Sequence, residues 1–136
     1  IKICRNLENR DIIEFVLIEN KKQNEVIEIK KSCDIYIDQI HNRGGWGYGM
    51  SSVEALSMGL VCLTELVEEY QKFIPNHPFI MVTKNNLKKI ILDLIQDKDF
   101  LINKKFESKK WVKKRHSIAS VSESLYNYYE EKSWVK

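Results

Sequence analysis

The chain has 136 residues, of which 43% are hydrophobic and 30% are charged, and its 22 basic and 19 acidic side chains give a formal net charge of +3. This composition predicts a globular protein, and the length predicts a single domain, residues 1–136, that can bury a core without structural metal or disulfides. The most apolar stretches, 12–18 and 60–63, are far shorter than the roughly 20 residues of a membrane-spanning helix. Length and composition therefore exclude a helical membrane protein and a disulfide-stapled domain.

The three cysteines, Cys4, Cys33 and Cys62, are an odd number and lack the C-x-x-C spacing of metal and redox sites. Each lies in or beside an apolar run, which predicts a small buried side chain with a free thiol. Free thiols are typical of a reducing compartment, and no basic stretch followed by an apolar run indicates a secretory signal. We therefore expect a cytoplasmic protein.

The hydrophobic pattern alternates between strands and helices along the chain. Short runs rich in β-branched residues predict buried strands at 15–18, 34–40, 60–64 and 79–83. Amphipathic spacing predicts helices at 24–33, 51–58, 87–95, 99–115 and 120–132, the last opened by a Ser120–Glu123 capping box. Such alternation predicts βαβ units around a mostly parallel sheet, that is an α/β, Rossmann-like three-layer sandwich that ends in two or three helices.

A glycine-rich loop at 41–50 follows the second predicted strand and holds four of the five glycines. The next helix begins near Ser51, and Gly59 is placed to end it. In parallel α/β sheets ligands bind at the carboxyl ends of strands, and free amides at a helix N-terminus attract anions such as phosphate. The loop has neither the Lys-Ser/Thr of a P-loop nor the last glycine of G-x-G-x-x-G, because Ser52 stands there. It is therefore predicted to be a phosphate-binding loop of another kind.

The residues between the second and third predicted strands form a series of short motifs. They are Asp34-Ile35-Tyr36-Ile37, Gly47-Tyr48-Gly49, Val53-Glu54-Ala55-Leu56, Met58-Gly59 and Leu60-Val61. This series resembles the C-terminal domain of the retaining group 1 (family 4) glycosyltransferases with the GT-B fold, which binds the nucleotide sugar. The helices predicted after Leu87 extend the likeness over most of the chain.

The resemblance implies that Glu54 binds the ribose hydroxyls of a nucleotide-diphosphate sugar, and that the backbone amides of Gly49, Met50 and Ser51 hold the diphosphate. It also implies a retaining sugar transfer to a glycan, polysaccharide or lipid-linked acceptor, with electrostatic stabilisation of the leaving diphosphate, no cofactor and no metal. The predicted nucleotide-sugar site comprises His41, Trp46, Gly47, Tyr48, Gly49, Met50, Ser51 and Glu54.

The chain departs from the family at Trp46, which stands where the first of two glutamates is found, eight residues before Glu54. A tryptophan has no carboxylate for sugar hydroxyls, although its face can stack on a pyranose. The Arg and Lys that neutralise the diphosphate in the family have no match here, so no catalytic residue is assigned. Because GT-B enzymes have two Rossmann-like domains, we expect a C-terminal donor-binding portion, truncated at its N-terminus and inactive alone.

The site residues also have simpler interpretations. Ser51 and Glu54 have the spacing of a capping box, in which the glutamate bonds a backbone N–H. Trp46 and Tyr48 suit aromatic side chains that cover a sheet edge, and His41 suits a surface hydrogen-bonding group. At the level of function, the alternatives are a GT-B-like nucleotide-sugar epimerase and a non-catalytic α/β interaction module.

Basic residues are concentrated in the segment from Lys98 to His116, which carries eight basic side chains against two acidic ones. Such a segment is ordinarily a solvated helix face. Phe106, Trp111 and Val112 lie among the lysines, however, and favour a second interpretation, peripheral attraction to an anionic membrane surface. No nucleic-acid-binding module is recognisable, so no nucleic acid partner is predicted.

Overall fold

The computed structural model describes residues 1–40 and 47–135. The helices within them are α1 Lys2–Glu8, α2 Gln23–Lys31, α3 Met50–Met58, α4 Glu68–Phe73, α5 Leu87–Gln96, α6 Lys98–His116 and α7 Ile118–Glu131. The strands are β1 Ile35–Ile37, β2 Val61–Thr64 and β3 Ile80–Met81. The fold class is therefore α/β, as the alternating sequence pattern predicts.

The strands form a parallel sheet in the order β1-β2-β3. Ile35 is paired with Val61, and Leu63 with Ile80, so β2 lies between the other two strands. All four residues of β2 are buried, whereas the three residues of β1 are only half-buried. The prediction that β1 is buried on both faces is therefore wrong, because β2 is its sole strand neighbour among the described residues.

The hydrophobic core consists of two clusters that share β2. Val61 and Leu63 belong to one cluster, and Cys62 belongs to the other. The first cluster adds residues of α1 and α5, namely Cys4, Leu7, Leu87, Ile91 and Leu94, together with Val82. The second adds Leu56 of α3, Trp111 of α6, Leu66, Ile74 and Phe79. Because successive side chains of a strand point to opposite faces, each cluster covers one face of β2.

The predicted helices are confirmed, with small shifts at their ends. Gly59 ends α3 in the left-handed conformation, with φ of 86°, as its position predicts. The capping box expected at Ser120 and Glu123 is wrong, because α7 begins earlier. The Ser117 hydroxyl accepts a hydrogen bond from the Ser120 N–H at 3.1 Å and so caps the helix. No helix in the described part of the chain is long and apolar enough to cross a bilayer.

The strand predicted at 15–18 does not form. Residues 13–19 have no regular secondary structure. Ile13 and Phe15 pack against the first cluster, but of the N–H groups of 15–18 only that of Phe15 has an acceptor among the described residues, the Glu8 carboxylate at 3.2 Å. Local β-propensity is thus not enough, because a strand also needs a neighbour to complete its ladder.

All three cysteines are free thiols, as predicted. Cys4 and Cys62 are buried and belong to the core, whereas Cys33 is half-buried at the end of α2. Burial raises the pKa of the Cys62 thiol to about 12. Because the thiolate is the reactive form, Cys62 is a structural core residue rather than a nucleophile.

Replacing Gly59 with alanine is expected to destabilise the fold by about 1–2 kcal/mol, because a residue with a Cβ is strained in the left-handed conformation. The added Cβ would also lie 2.5 Å from Cε of Lys109, whose flexible chain can move aside. Urea denaturation of Gly59→Ala measures the loss. Full recovery in Gly59→Ala/Lys109→Ala would assign the cost to the lysine contact instead of the backbone.

Candidate functional site

The end of the glycine-rich loop lies at the carboxyl end of β1, beside the start of α3. Gln39 donates a hydrogen bond from Nε2 to the Gly47 carbonyl at 3.0 Å. The Ser52 hydroxyl donates to the Asp38 carboxylate. Two residues that directly follow β1 therefore hold the last part of the loop and the first turn of α3, which is the place where ligands bind in parallel α/β sheets.

The first turn of α3 presents uncapped backbone amides. Its N-cap is Gly49, which has no side chain to accept their hydrogen bonds, and the Gly49 carbonyl accepts from the N–H groups of Ser52 and Val53. The N–H groups of Gly49, Met50 and Ser51 have no acceptor within residues 1–40 and 47–135. These are the three amides that the sequence analysis assigned to a diphosphate, and their free N–H groups suit an anion.

Glu54 lies on the next turn of α3 and pairs with two residues of α2. Its Oε2 accepts from Nζ of Lys30 at 2.5 Å, and its Oε1 accepts from Nε2 of Gln23 at 2.6 Å. The capping box with Ser51 therefore does not form: Gly49 is the N-cap, and no side chain within residues 1–40 and 47–135 caps this helix. The Glu54 side chain is 25% exposed, so its carboxylate is partly accessible to a ligand.

A surface cavity of about 500 Å³ opens over these groups. Three helices line it: α2, the first two turns of α3 and the end of α6. The lining residues are Gln23, Met50, Ser51, Val53, Glu54, Ser57, Val112 and His116. The cavity therefore combines a carboxylate, an imidazole and apolar surface next to a helix N-terminus.

Tyr48 packs as part of the second core cluster. Its ring is 4.9 Å from that of Phe79 and 5.6 Å from that of Trp111, measured between centroids. The phenol oxygen is 2.9 Å from Nε2 of His116. Burial, with a contribution from neighbouring Tyr70, raises the pKa of Tyr48 to about 12. These contacts favour the interpretation of Tyr48 as an aromatic cover over the sheet.

Gly47 lies against the ring of Tyr70, and a Cβ at this position would overlap that ring. The glycine is therefore required for close approach between the loop and α4. His41 and Trp46, which the sequence analysis also assigned to the site, lie outside the described residues. The structure thus brings together the loop end, the free amides and Glu54.

Sequence reasoning missed Lys30, Gln23 and His116. Lys30 had a detectable signal, because it follows Val26 and Ile27 at spacings of four and three residues and so falls in the apolar stripe of its helix. A lysine in such a stripe indicates a buried charge with a partner. Gln23 and His116 carry no comparable signal, since both enter the site through the docking of separate helices.

A larger depression of about 880 Å³ lies at the junction of α5 and α6, away from the loop. Two of its acidic residues have structural roles: Asp93 pairs with Lys89 at 2.6 Å, and Asp97 caps α6. Within residues 1–40 and 47–135, no group of three or more His, Cys, Asp or Glu side chains is arranged to hold a metal ion. The cavity at the start of α3 is therefore the better candidate site.

The fold defines an α/β protein with a parallel sheet. The site adds a paired carboxylate and, at the start of the same helix, amides with no acceptor among residues 1–40 and 47–135. Comparison with protein-family models, with curated proteins and with solved structures gives no match for this chain.

Acidification below about pH 6.5 is expected to destabilise the protein through two histidines, because an imidazole that the fold keeps neutral gains a proton on unfolding. Burial lowers the pKa of His77 and of His116, and neighbouring Lys104 and Arg115 add to this effect. The unfolded chain then binds more protons, so the free energy of unfolding falls as the pH is lowered through these pKa values.

Urea denaturation between about pH 7.5 and pH 5.5 measures this fall in the free energy of unfolding. This pH range lies above the one in which carboxylates titrate. The His116→Gln variant should show a smaller fall than the wild type, because one of the two groups is absent. An unchanged fall in both His116→Gln and His77→Gln would contradict the assignment.

Proposed function

We propose that the chain is the donor-binding domain of a retaining glycosyltransferase of the GT-B type, which transfers a sugar from a nucleotide-diphosphate sugar to a glycan, polysaccharide or lipid-linked acceptor. The observation that carries the proposal is that the helix amides, which have no acceptor among the described residues, and the Glu54 carboxylate lie close together at one cavity. A Rossmann-like three-layer arrangement agrees with two core clusters on opposite faces of a parallel sheet.

The diphosphate would bind at the start of α3. The N–H groups of Gly49, Met50 and Ser51 provide donors, and the helix dipole provides partial positive charge. The same donors would stabilise the charge that develops on the diphosphate as the sugar leaves, which supplies electrostatic catalysis without proton transfer by a side chain. Gly49 has no side chain, so the phosphate oxygens can approach the backbone closely.

The ribose would bind at Glu54. A carboxylate accepts two hydrogen bonds at once, which matches the two neighbouring hydroxyls of a ribose. Glu54 lies one turn along α3 from the free amides and lines the same cavity as Ser51. The distance of one helical turn, roughly 5 Å, is comparable with the separation of a ribose from its phosphates.

Titration with UDP, GDP and ADP tests the proposal by calorimetry. At least one of the three is expected to bind, and Glu54→Gln should weaken that binding by about tenfold or more, because hydrogen bonds to a charged group contribute roughly 1.5–3 kcal/mol. The amide keeps the size of the side chain and removes its charge.

Glu69→Gln is the matched control, since Glu69 is exposed on α4 and lies outside the cavity. Binding should be unchanged in this variant. Absence of binding to all three nucleotides at millimolar concentration, or equal affinity of wild type and Glu54→Gln, would refute the donor site and leave an interaction module as the better interpretation.

The proposal includes a peripheral contact of α6 with an anionic membrane, at the inner face of a cytoplasmic membrane. Of the residues on which the sequence pattern based this contact, Trp111 is buried in the second cluster and Val112 packs against that cluster. Phe106 is 69% exposed, and Ile102, one turn before it on α6, is 61% exposed. Five lysines of this helix have no carboxylate partner within the described part of the chain: Lys98, Lys109, Lys110, Lys113 and Lys114. Apolar side chains beside unpaired lysines are the combination that interfacial helices use.

Flotation with phosphatidylserine vesicles tests the membrane contact. The protein should float at low salt and be released by high salt, because the attraction is electrostatic. Lys110→Gln/Lys113→Gln should weaken association by about tenfold to thirtyfold, at roughly 1 kcal/mol for each lysine near the surface. Lys84→Gln/Lys88→Gln, which changes two exposed lysines elsewhere, should not. Salt-insensitive association, or none, would remove this contact from the proposal.

A further inference from the structure

Lys30 is the one buried basic residue of the described chain, with 3% of its surface exposed. It lies near the end of α2, and its ammonium group points towards α3. Nζ donates to Oε2 of Glu54 at 2.5 Å and to the Ser51 carbonyl at 3.4 Å. The ammonium also lies 4.8 Å from the centre of the Tyr36 ring, on the face where cations are attracted.

Burying this ammonium group is costly, because a lysine at the surface keeps its hydration. An apolar side chain of similar length would fill the same space without that cost, so a buried ion pair is weak evidence for a role in stability alone. Glu54, the partner of Lys30, is the residue that reaches the cavity. The buried charge therefore acts on the carboxylate that faces the candidate ligand.

The two partners of Glu54 differ in their exposure. Lys30 holds Oε2 from the buried side, whereas Gln23 holds Oε1 from an exposed position at the cavity rim. A carboxylate has about four acceptor positions, so two remain open while both partners are in place. An incoming hydroxyl can also replace the exposed amide of Gln23, whereas the lysine stays in its buried position.

We propose that Lys30 is a positioning residue that fixes the Glu54 carboxylate towards the cavity and thereby sets a preference for nucleotides that carry both ribose hydroxyls. The proposal rests on the donor-binding function. It assigns recognition of the ribose to a pair of residues from two helices, with Glu54 in contact with the sugar and Lys30 acting through it. Ser51 connects the pair to the diphosphate end, since its carbonyl accepts from Lys30.

The test compares the affinity for a nucleoside diphosphate with that for its 2′,3′-dideoxy counterpart, using whichever of UDP, GDP and ADP the wild type binds. The wild type is expected to prefer the ribonucleotide by about tenfold or more, as hydrogen bonds to a charged group predict. In Lys30→Met the preference should fall to within about twofold, because a carboxylate that has lost its fixed partner no longer presents both oxygens.

Two further variants separate the positioning role from a purely structural one. Lys30→Arg keeps the charge and should restore part of the preference. Lys31→Met is the matched control, because Lys31 is exposed on the same helix and pairs with Glu28. It should keep the full preference. A structural role would instead weaken binding of both nucleotides equally and leave their ratio unchanged.

This experiment distinguishes failure of the Lys30 role from failure of the donor site. Wild-type binding with a ribose preference that persists in Lys30→Met would overturn the role of Lys30 and leave the donor site standing. Wild-type binding to none of the nucleotides would refute the donor site, and the role of Lys30 with it. Circular dichroism and denaturation midpoints identify a variant that does not fold, and Lys30→Gln then replaces Lys30→Met in the comparison.

Discussion

The burial of β2 on both faces is the constraint on which the rest of the fold depends. Val61 and Leu63 need apolar partners on one face, and Cys62 needs them on the other. Helices α1 and α5 cover the first face, while α3 and α6 cover the second. Because Gly59 turns the chain directly from α3 into β2, the start of α3 lies at the opposite end of that helix, beside the carboxyl end of β1. The position of the candidate site thus follows from the core.

The site is also continuous with the core through hydrogen bonds. Cys62 donates from its thiol to the Ser52 hydroxyl at 3.4 Å, and Ser52 in turn donates to Asp38. Hydrogen bonds therefore link the central strand, the first turn of α3 and the end of β1, and the buried side chains of Cys62 and Ser52 both have a partner. Tyr48 adds an apolar link, because its ring lies in the second cluster. A site held by packed elements in this way keeps its donors in place before a ligand arrives.

Much of the fold could be predicted because its signals are local. The stripe of Leu87, Ile91 and Leu94 specifies α5 by its own spacing, and Gly59 marks the end of α3 by the conformation that it alone adopts without strain. The sequence also placed amide donors at the start of α3, although the N-cap is Gly49 and not Ser51, as the capping-box alternative required. The strand prediction for 15–18 was wrong for the opposite reason. Its residues favour a strand, but strand pairing needs a neighbouring strand, which local composition does not reveal.

The sequence by itself thus determined the α/β class, the order of most helices and strands, the glycine-rich loop before a helix and the presence of Glu54 one turn inside it. Only the tertiary structure decided what Glu54 contacts. Its partners, Gln23 and Lys30, are 31 and 24 residues away, and the capping box that local spacing allowed does not form. The physical reason is that the partner of a side chain depends on which elements pack together, and α2 packs on α3 although the two helices are distant in sequence.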